Sequence, residues 1–449
     1  MSLKASISGI RGVVGDSLTP DVLLKYISGF TKIVGKGDIL IGRDSRPSGR
    51  AIVEFVKSTL RLLGRNVSDV GIVPTPAVLF GVNRFGFAGG IVVTASHNPS
   101  QWNALKLVNG EGKFFSPDQF AKLTAILNDK PEYADHNNIG FEKSPPPLSD
   151  EHYKAIADFV DKDMIRRSRF KVALDGVNGG AGVFVENFLK ELGCSVNGIY
   201  IDPTGIFPHP PEPLPENLSD LSAEVKKSGA SVGFALDPDG DRLVIVDESG
   251  LVLSEELTIA IASERYLDKY GVSNIVLNLS SSIVCNYIAG KHGVKVDRVP
   301  TGEIFVTEAL ESLKAGIGGE GNGGVIVPAI NKCRDSLVGI ALILDYMADT
   351  GLKISEIVNK YPKYTLIKKK FDIKSNFDIK KISSGLKALF KDGKVDDRDG
   401  IRVDFDDNKW VLIRASNTEP IVRLFAEAVN GEDALKLIDQ VEGYLKDNS

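Results

Sequence analysis

The stretch DILIGRDSRPSGRAIVEFVKSTLRLLG, Asp38 to Gly64, changes its period halfway along. A β-branched apolar run gives way, at a turn of Gly, Asp and Ser, to apolar residues spaced by three and four, and the segment closes on glycine. That pattern reads as a buried strand followed by an amphipathic helix. The same theme returns in FKVALDGVNGGAGVFVENFLKELG, Phe170 to Gly193, and in SNIVLNLSSSIVCNYIAGKHG, Ser273 to Gly293. Three such units predict an α/β fold with three similar mixed-sheet domains.

Beyond Tyr361 the texture changes. From Phe371 the pattern reads strand, helix, two strands around GIRVDFDDNKWVLIRAS, Gly400 to Ser416, and a terminal helix EDALKLIDQVEGYLKD, Glu432 to Asp447. A smaller α+β C-terminal domain follows. The proline stretch EKSPPPLSD, Glu142 to Asp150, reads as a linker, and the turn at Glu248 to Gly250 as a second boundary. The expected domains are therefore 1–148, 149–250, 251–364 and 365–449, a division that suits a chain of 449 residues.

A net charge of -5 offers no basic stripe for nucleic acid, and the run Lys368 to Lys370 reads as a solvated linker or strand edge. Cys194, Cys285 and Cys333 lie far apart, which suggests neither a disulfide framework nor a zinc ribbon and fits a reducing compartment. The N-terminus lacks an apolar signal core, and no segment approaches the ~18 apolar residues of a membrane span. A cytoplasmic protein with no membrane partner is expected.

Four segments carry candidate chemistry. GGIVVTASHNPSQWNALK, Gly89 to Lys106, runs a strand pattern into a polar loop, leaving Ser96 open as a nucleophile or a turn serine. Neighbouring residues seldom aim their side chains at each other, so a Ser96 and His97 pair of hydrolase type is not expected. In ASVGFALDPDGDRLVIVDESG, Ala230 to Gly250, Asp237, Asp239 and Asp241 sit between two apolar runs. Three carboxylates on one loop repel unless a cation neutralises them, and hard divalent cations take oxygen ligands, so Mg²⁺ is expected. An EF-hand is disfavoured, because Arg242 stands where its turn needs glycine; an acidic hairpin without metal is the plainer alternative.

GIGGEGNGG, Gly316 to Gly324, sets Glu320 and Asn322 among glycines, either as a sugar-hydroxyl receptor or as a plain flexible loop. LIRASNTEPIVR, Leu412 to Arg423, gathers Arg414, Ser416, Asn417 and Thr418, a set suited to a phosphate dianion or to the N-cap of a helix beginning near Glu419 and Pro420.

Taken together, TASHNP, DPDGDR, GEGNGG and RASNTEP, with SGIRG at Ser8 to Gly12, GRDSRPSG at Gly42 to Gly49 and PEPLPENL at Pro211 to Leu218, resemble the α-D-phosphohexomutase family in order and rough spacing. The GEGNGG form is similar to the archaeal branch. The resemblance implies four domains around a central cleft, and interconversion of hexose 1-phosphate and hexose 6-phosphate, the hexose being glucosamine, glucose or mannose. Ser96 is then the phosphoserine and, with Asp237, Asp239 and Asp241, a ligand of Mg²⁺.

The resemblance further implies a hexose 1,6-bisphosphate intermediate and activator, with Arg11 and Arg242 near the transferred phosphate. Thr301, Gly302, Glu320 and Asn322 would bind the sugar, and Arg414, Ser416, Asn417 and Thr418 its phosphate. Lys106 matches the family's lysine as general base, its pKa lowered by burial or by Arg11, the plainer reading being a surface strand lysine. His97 is read as a hydrogen-bond donor to the phosphate or a loop orienter, a purely structural role being the alternative. Many bacterial relatives show GExSGH where this chain has Asn322 and Gly324, so one candidate acid or base is missing here. A monomer or homodimer acting on small hexose phosphates is expected; a phosphatase using the same serine and metal, or a non-catalytic sugar-phosphate-binding protein, are the alternatives.

Overall fold

A computed structural model describes residues 3–271, 273–372, 379–406, 408–415 and 421–448. It divides into two compact units, Met1–Thr258 with Asn322–Ser355, and Ile259–Gly321 with Glu356–Ser449.

The first unit holds two mixed sheets. In the larger, Lys4–Ser6, Gly9–Val13, Trp102–Asn109, Gly89–Val93, Ile39–Arg43, Val67–Ile72 and Glu142–Lys143 lie side by side in that order. The strands from Gly89–Val93 to Glu142–Lys143 run parallel, and the rest of the sheet is antiparallel. Helices Pro20–Ile33 and Pro47–Leu62 cover one face, burying Ile27, Phe30, Val56 and Leu60 against Ile39, Ile41, Val93 and Leu105. The smaller sheet is ordered Leu243–Val246, Val232–Leu236, Lys171–Asp175, Ser195–Ile199, with only the first pair antiparallel. Each predicted strand-and-helix unit is present: Ile39–Arg43 with Pro47–Leu62, and Lys171–Asp175 with Gly182–Glu191.

In the second unit Ile275–Asn278, followed by helix Val284–Lys291, lies between the parallel strands Val296–Val299 and Ile317–Glu320. The C-terminal sheet is antiparallel throughout, ordered Thr365–Asp372, Ile421–Ala428, Lys409–Ala415, Ile401–Asp406, Lys394–Asp396. Helix Gly431–Asn448 buries Ile438, Val441 and Leu445 against it. Trp410, Leu412, Leu279 and Ile283 form a second apolar cluster within this unit.

Three expectations need correction. The proline stretch is not wholly a linker, because Glu142–Lys143 pairs with Val67 and Ser68, and Leu148–Phe159 is a helix. The C-terminal domain has two strands beyond those expected, Lys394–Asp396 and Ile421–Ala428. The second is flanked by neighbours on both sides, so Ile421, Val422, Leu424 and Ala426 are buried without clean alternation, and its short apolar run carries no readable period. It also means that no helix starts after Pro420. The glycine-rich stretch is largely extended rather than loop: a Cβ on Gly318 would lie 2.4 Å from the Val276 carbonyl, so glycine there serves close strand packing. Lys368 to Lys370 lie on the edge strand, as one of the two readings held.

The fold sets where chemistry can gather. In open α/β sheets ligands bind beyond the carboxyl ends of parallel strands. Asp44 and Arg46 follow Ile39–Arg43, Thr75 follows Val67–Ile72, Ser96 follows Gly89–Val93, and Asp237 follows Val232–Leu236. The second unit obeys the same rule: Asn278 and Glu320 end their strands, and Thr301 and Gly302 follow Val296–Val299.

Candidate active site

Ser96 is buried and left-handed, with φ of 50°, a region that L-residues occupy only where their surroundings impose it. Its backbone N–H donates to Thr94 Oγ1 at 3.0 Å, and that hydroxyl donates to Asp44 Oδ2 at 2.6 Å. Arg46, wholly buried, clamps the loop from below. Its Nε donates to Asp44 Oδ2 at 3.0 Å, one terminal nitrogen to the carbonyls of Pro99 and Trp102 at 2.7 and 3.0 Å, and the other to those of Ser96 and Asn98 at 2.6 and 2.5 Å. All five guanidinium N–H groups are thereby used, which is how a charge survives complete burial.

The Ser96 hydroxyl donates to Asp237 Oδ2 at 2.8 Å and lies 3.3 Å from His97 Nδ1. The adjacent side chains do approach each other, against expectation, because the left-handed turn at Ser96 swings them to one side. Burial, with Arg242 and Arg11 nearby, holds the His97 pKa well below the usual histidine value, so its ring is neutral. Arg11 donates to Asn98 Oδ1 at 3.2 Å and to the Ser8 carbonyl at 3.1 Å, and burial lowers its pKa.

Asp237, Asp239 and Asp241 are buried in the turn joining two antiparallel strands, so helices do not flank them as in an EF-hand. The backbone N–H groups of Asp241 and Arg242 both donate to Asp237 Oδ1 at 3.1 Å. Thr75, opening the helix Thr75–Phe85, donates its backbone N–H to the Asp239 carbonyl at 2.8 Å and its hydroxyl to Asp239 Oδ2. Lys106 Nζ bonds Asp239 Oδ2 at 2.6 Å and Asp241 Oδ2 at 3.3 Å, while Arg334 donates to Asp241 Oδ2 at 2.9 Å. Arg242 donates to Glu212 Oε1 at 2.9 Å, and its Nε lies 3.9 Å from Asp241 Oδ1.

One oxygen from each of the three carboxylates lies within 4.8 Å of the others. Asp239 Oδ1 and Asp241 Oδ1 are buried and have no hydrogen-bond partner. Buried carboxylate oxygens without a hydrogen bond are costly, and a converging set of hard oxygens is what a small divalent cation needs, so these residues fit a metal. Burial, reinforced by Asp241 and Asp239, raises the Asp237 pKa well above the carboxylate range. For Asp239 burial pushes the same way, but Lys106 and the surrounding hydrogen bonds overcome it and hold the pKa low.

Lys106 is no surface lysine; it is buried in the strand Trp102–Asn109. Burial pulls its pKa down, but Asp239 and Asp241 outweigh that and raise it, contrary to the expected lowering. In this structure it is an ammonium.

The second unit gathers a different set. Glu320 Oε1 accepts from Asn278 Nδ2 at 2.8 Å and from the Gly302 N–H at 3.2 Å. The Thr301 N–H donates to Asp399 Oδ2 at 2.9 Å, and Arg414 Nε reaches both Asp399 oxygens at 2.8 and 2.9 Å. Thr301 and Arg414 are thus joined through Asp399, with Gly302 and Glu320 alongside. Asn322 belongs to the first unit, where its Oδ1 is buried without a hydrogen-bond partner. Ser416, Asn417 and Thr418 lie outside the described residues.

Sequence reasoning assigned no role to Arg46, Asp44, Thr94, Thr75, Arg334 or Asp399. Asp44 and Arg46 stand in GRDSRPSG, where two charges at the end of a buried strand were the available sign. Thr75, Arg334 and Asp399 stand in no distinguishing pattern.

Four family models match in succession. They are those of phosphoglucomutase/phosphomannomutase α/β/α domains I, II and III, over residues 3–134, 150–250 and 254–364, and of the C-terminal domain over 367–443. A phosphoglucomutase/phosphomannomutase of Thermococcus kodakarensis is 35% identical over 440 residues, covering 96% of both chains. A probable phosphoglucosamine mutase of Methanopyrus kandleri is 32% identical, covering 96% of this chain and 95% of its own. The crystal structure of a phosphoglucomutase/phosphomannomutase family protein from Burkholderia thailandensis superposes with a TM-score of 0.85 at 28% identity, over 98% of this chain and 96% of that one. The chain therefore belongs to the phosphoglucomutase/phosphomannomutase family and is an enzyme of the mutase class.

Proposed function

We propose that this enzyme interconverts hexose 1-phosphates and hexose 6-phosphates, the hexose being glucosamine, glucose or mannose, with Ser96 as the phosphoryl carrier. The supporting observation is the placement of Ser96 Oγ, 2.8 Å from Asp237, in a clamped loop beside two carboxylates that each keep an oxygen without a hydrogen bond.

A serine hydroxyl is a weak nucleophile, yet as a carrier it splits one isomerisation into two transfers. The phosphorus–Oγ bond of phosphorylated Ser96 breaks as the free hydroxyl of a hexose monophosphate bonds to phosphorus, giving a hexose 1,6-bisphosphate. Its other phosphate then returns to Ser96 Oγ, and the isomeric monophosphate leaves. Free bisphosphate acts as activator by phosphorylating empty enzyme.

Asp237, Asp239 and Asp241, with the oxygen on Ser96, are the residues that would hold Mg²⁺, which when bound supplies Lewis-acid stabilisation of the phosphoryl oxygens. Phosphoryl transfer depends mainly on positioning and on charge stabilisation. Arg11 and Arg242 supply positive charge to the phosphoryl group, and neutral His97 supplies a hydrogen bond to it. Lys106 is the proposed acceptor of the hydroxyl proton in each half-reaction, once it has lost its own: burial favours the neutral amine, and a cation drawing on Asp239 and Asp241 would weaken the hold that keeps it an ammonium. Thr301, Gly302, Glu320 and Asn322 are assigned to the sugar hydroxyls, and Arg414 with Ser416, Asn417 and Thr418 to the phosphate that is not being transferred.

The test is ³¹P NMR of the protein with Mg²⁺, a trace of hexose 1,6-bisphosphate and, in turn, each hexose 1-phosphate. Build-up of the 6-phosphate is expected. Release of inorganic phosphate without exchange overturns the mutase reading in favour of a phosphatase, and the absence of any turnover favours a binding protein.

A further inference from the structure

Gly324 and Arg334 meet beside the acidic loop. A Cβ on Gly324 would stand 2.1 Å from Arg334 Cδ and 2.7 Å from Cγ, so the arginine stem passes through the space a side chain would take. Its guanidinium ends on Asp241 Oδ2 at 2.9 Å, and Arg334 is 9% exposed. Asp241 therefore has one oxygen held by Arg334 and Lys106, while Oδ1, 3.9 Å from Arg242 Nε, has no hydrogen-bond partner.

The backbone that launches Arg334 is anchored from several sides. The Asp335 N–H donates to the Val325 carbonyl at 2.8 Å, and Asp335 Oδ1 caps helix Ser336–Thr350 through the Leu337 N–H at 3.0 Å. Asp335 Oδ2 takes bonds from His152 Nε2 at 2.8 Å and Asn331 Nδ2 at 2.9 Å, all buried. Arg334 thus leaves a fixed point, crosses a gap that only glycine leaves open and ends on a fixed carboxylate.

We infer that Arg334 is a positioning residue for the cation site: it holds Asp241 in the rotamer that leaves Oδ1 without a hydrogen bond and available to a cation, and Gly324 is glycine to let it pass. Partners that orient a metal-binding carboxylate typically change metal affinity by ~10–100-fold when removed. The inference rests on reading Asp237, Asp239 and Asp241 as a cation site.

The probe is Mn²⁺, titrated into the full-length protein without sugar phosphate and followed by the EPR signal of the free ion. Arg334→Ala and Gly324→Ala are each expected to weaken Mn²⁺ binding about tenfold or more, because both take the guanidinium off Asp241. Their effects on affinity should not add, since one contact is lost in either case. Thermal melting supplies the reciprocal readout: Gly324→Ala, crowded by the arginine, should melt lower than Gly324→Ala/Arg334→Ala. Unchanged or tighter Mn²⁺ binding in either single variant overturns the inference, as do additive losses or a double variant that melts below Gly324→Ala. If the unaltered protein binds no Mn²⁺, the cation-site reading falls with it.

Discussion

The two units organise their charges in opposite ways. In the first, four cations (Lys106, Arg11, Arg242 and Arg334) accompany Asp237, Asp239 and Asp241, yet Asp239 and Asp241 each keep a buried oxygen without a hydrogen bond. In the second, Asp399 is occupied by Arg414 and Thr301, and Glu320 by Asn278 and Gly302. A buried polar group left unpaired costs free energy, so it persists where something else is meant to bind it. The first arrangement suits chemistry that gains a cation and a phosphoryl group. The second is a preformed hydrogen-bonding frame around its carboxylates, with the buried Thr301 hydroxyl left without a hydrogen bond, and is suited to recognition.

Substitutions of the reacting groups in the first unit are accordingly expected to act on kcat, and those in the second on KM. The largest effect belongs to Ser96→Ala, expected to lower turnover by on the order of 10⁴-fold or more while leaving the melting temperature nearly unchanged. Next is Arg46→Ala, which strands the buried Asp44 carboxylate and should cost about 3–5 kcal/mol in a urea unfolding titration. Arg46→Lys should rescue this poorly, because an ammonium has three donors where the loop engages five. Asp239→Asn, which removes a charge but little volume, should reduce kcat ~10²–10³-fold with a small change in KM. The smallest is Asp399→Ala, which frees Arg414 and should raise KM about tenfold with kcat little altered. A kcat loss from Asp399→Ala as large as that from Asp239→Asn would erase the distinction between the units.

Much of this was legible in the sequence, and the reasons are local. The period change inside Asp38–Gly64 depends only on which side chains face a core, so the strand-and-helix units could be read without the fold. The three alternate aspartates announced a cation because repulsion between them needs no tertiary context. Ile421–Ala428 was missed because a central strand flanked on both sides has no clean alternation. The Lys106 shift was given the wrong sign for a related reason. Burial alone lowers a lysine pKa, and the carboxylates that reverse it, Asp239 and Asp241, stand more than 130 residues away. Arg334 and Asp399 were invisible, since an arginine or an aspartate in an ordinary context acquires meaning only from what the chain brings to it.

The carrier role of Ser96 is tested most directly by intact mass. After incubation with hexose 1,6-bisphosphate and removal of small molecules, the protein should carry one phosphate-sized increment, located by fragmentation on Ser96. Excess hexose monophosphate should remove the increment while an equivalent amount of bisphosphate appears. An enzyme that exchanges 1-phosphate and 6-phosphate with Ser96 never phosphorylated, or with the phosphate on another residue, would contradict the account.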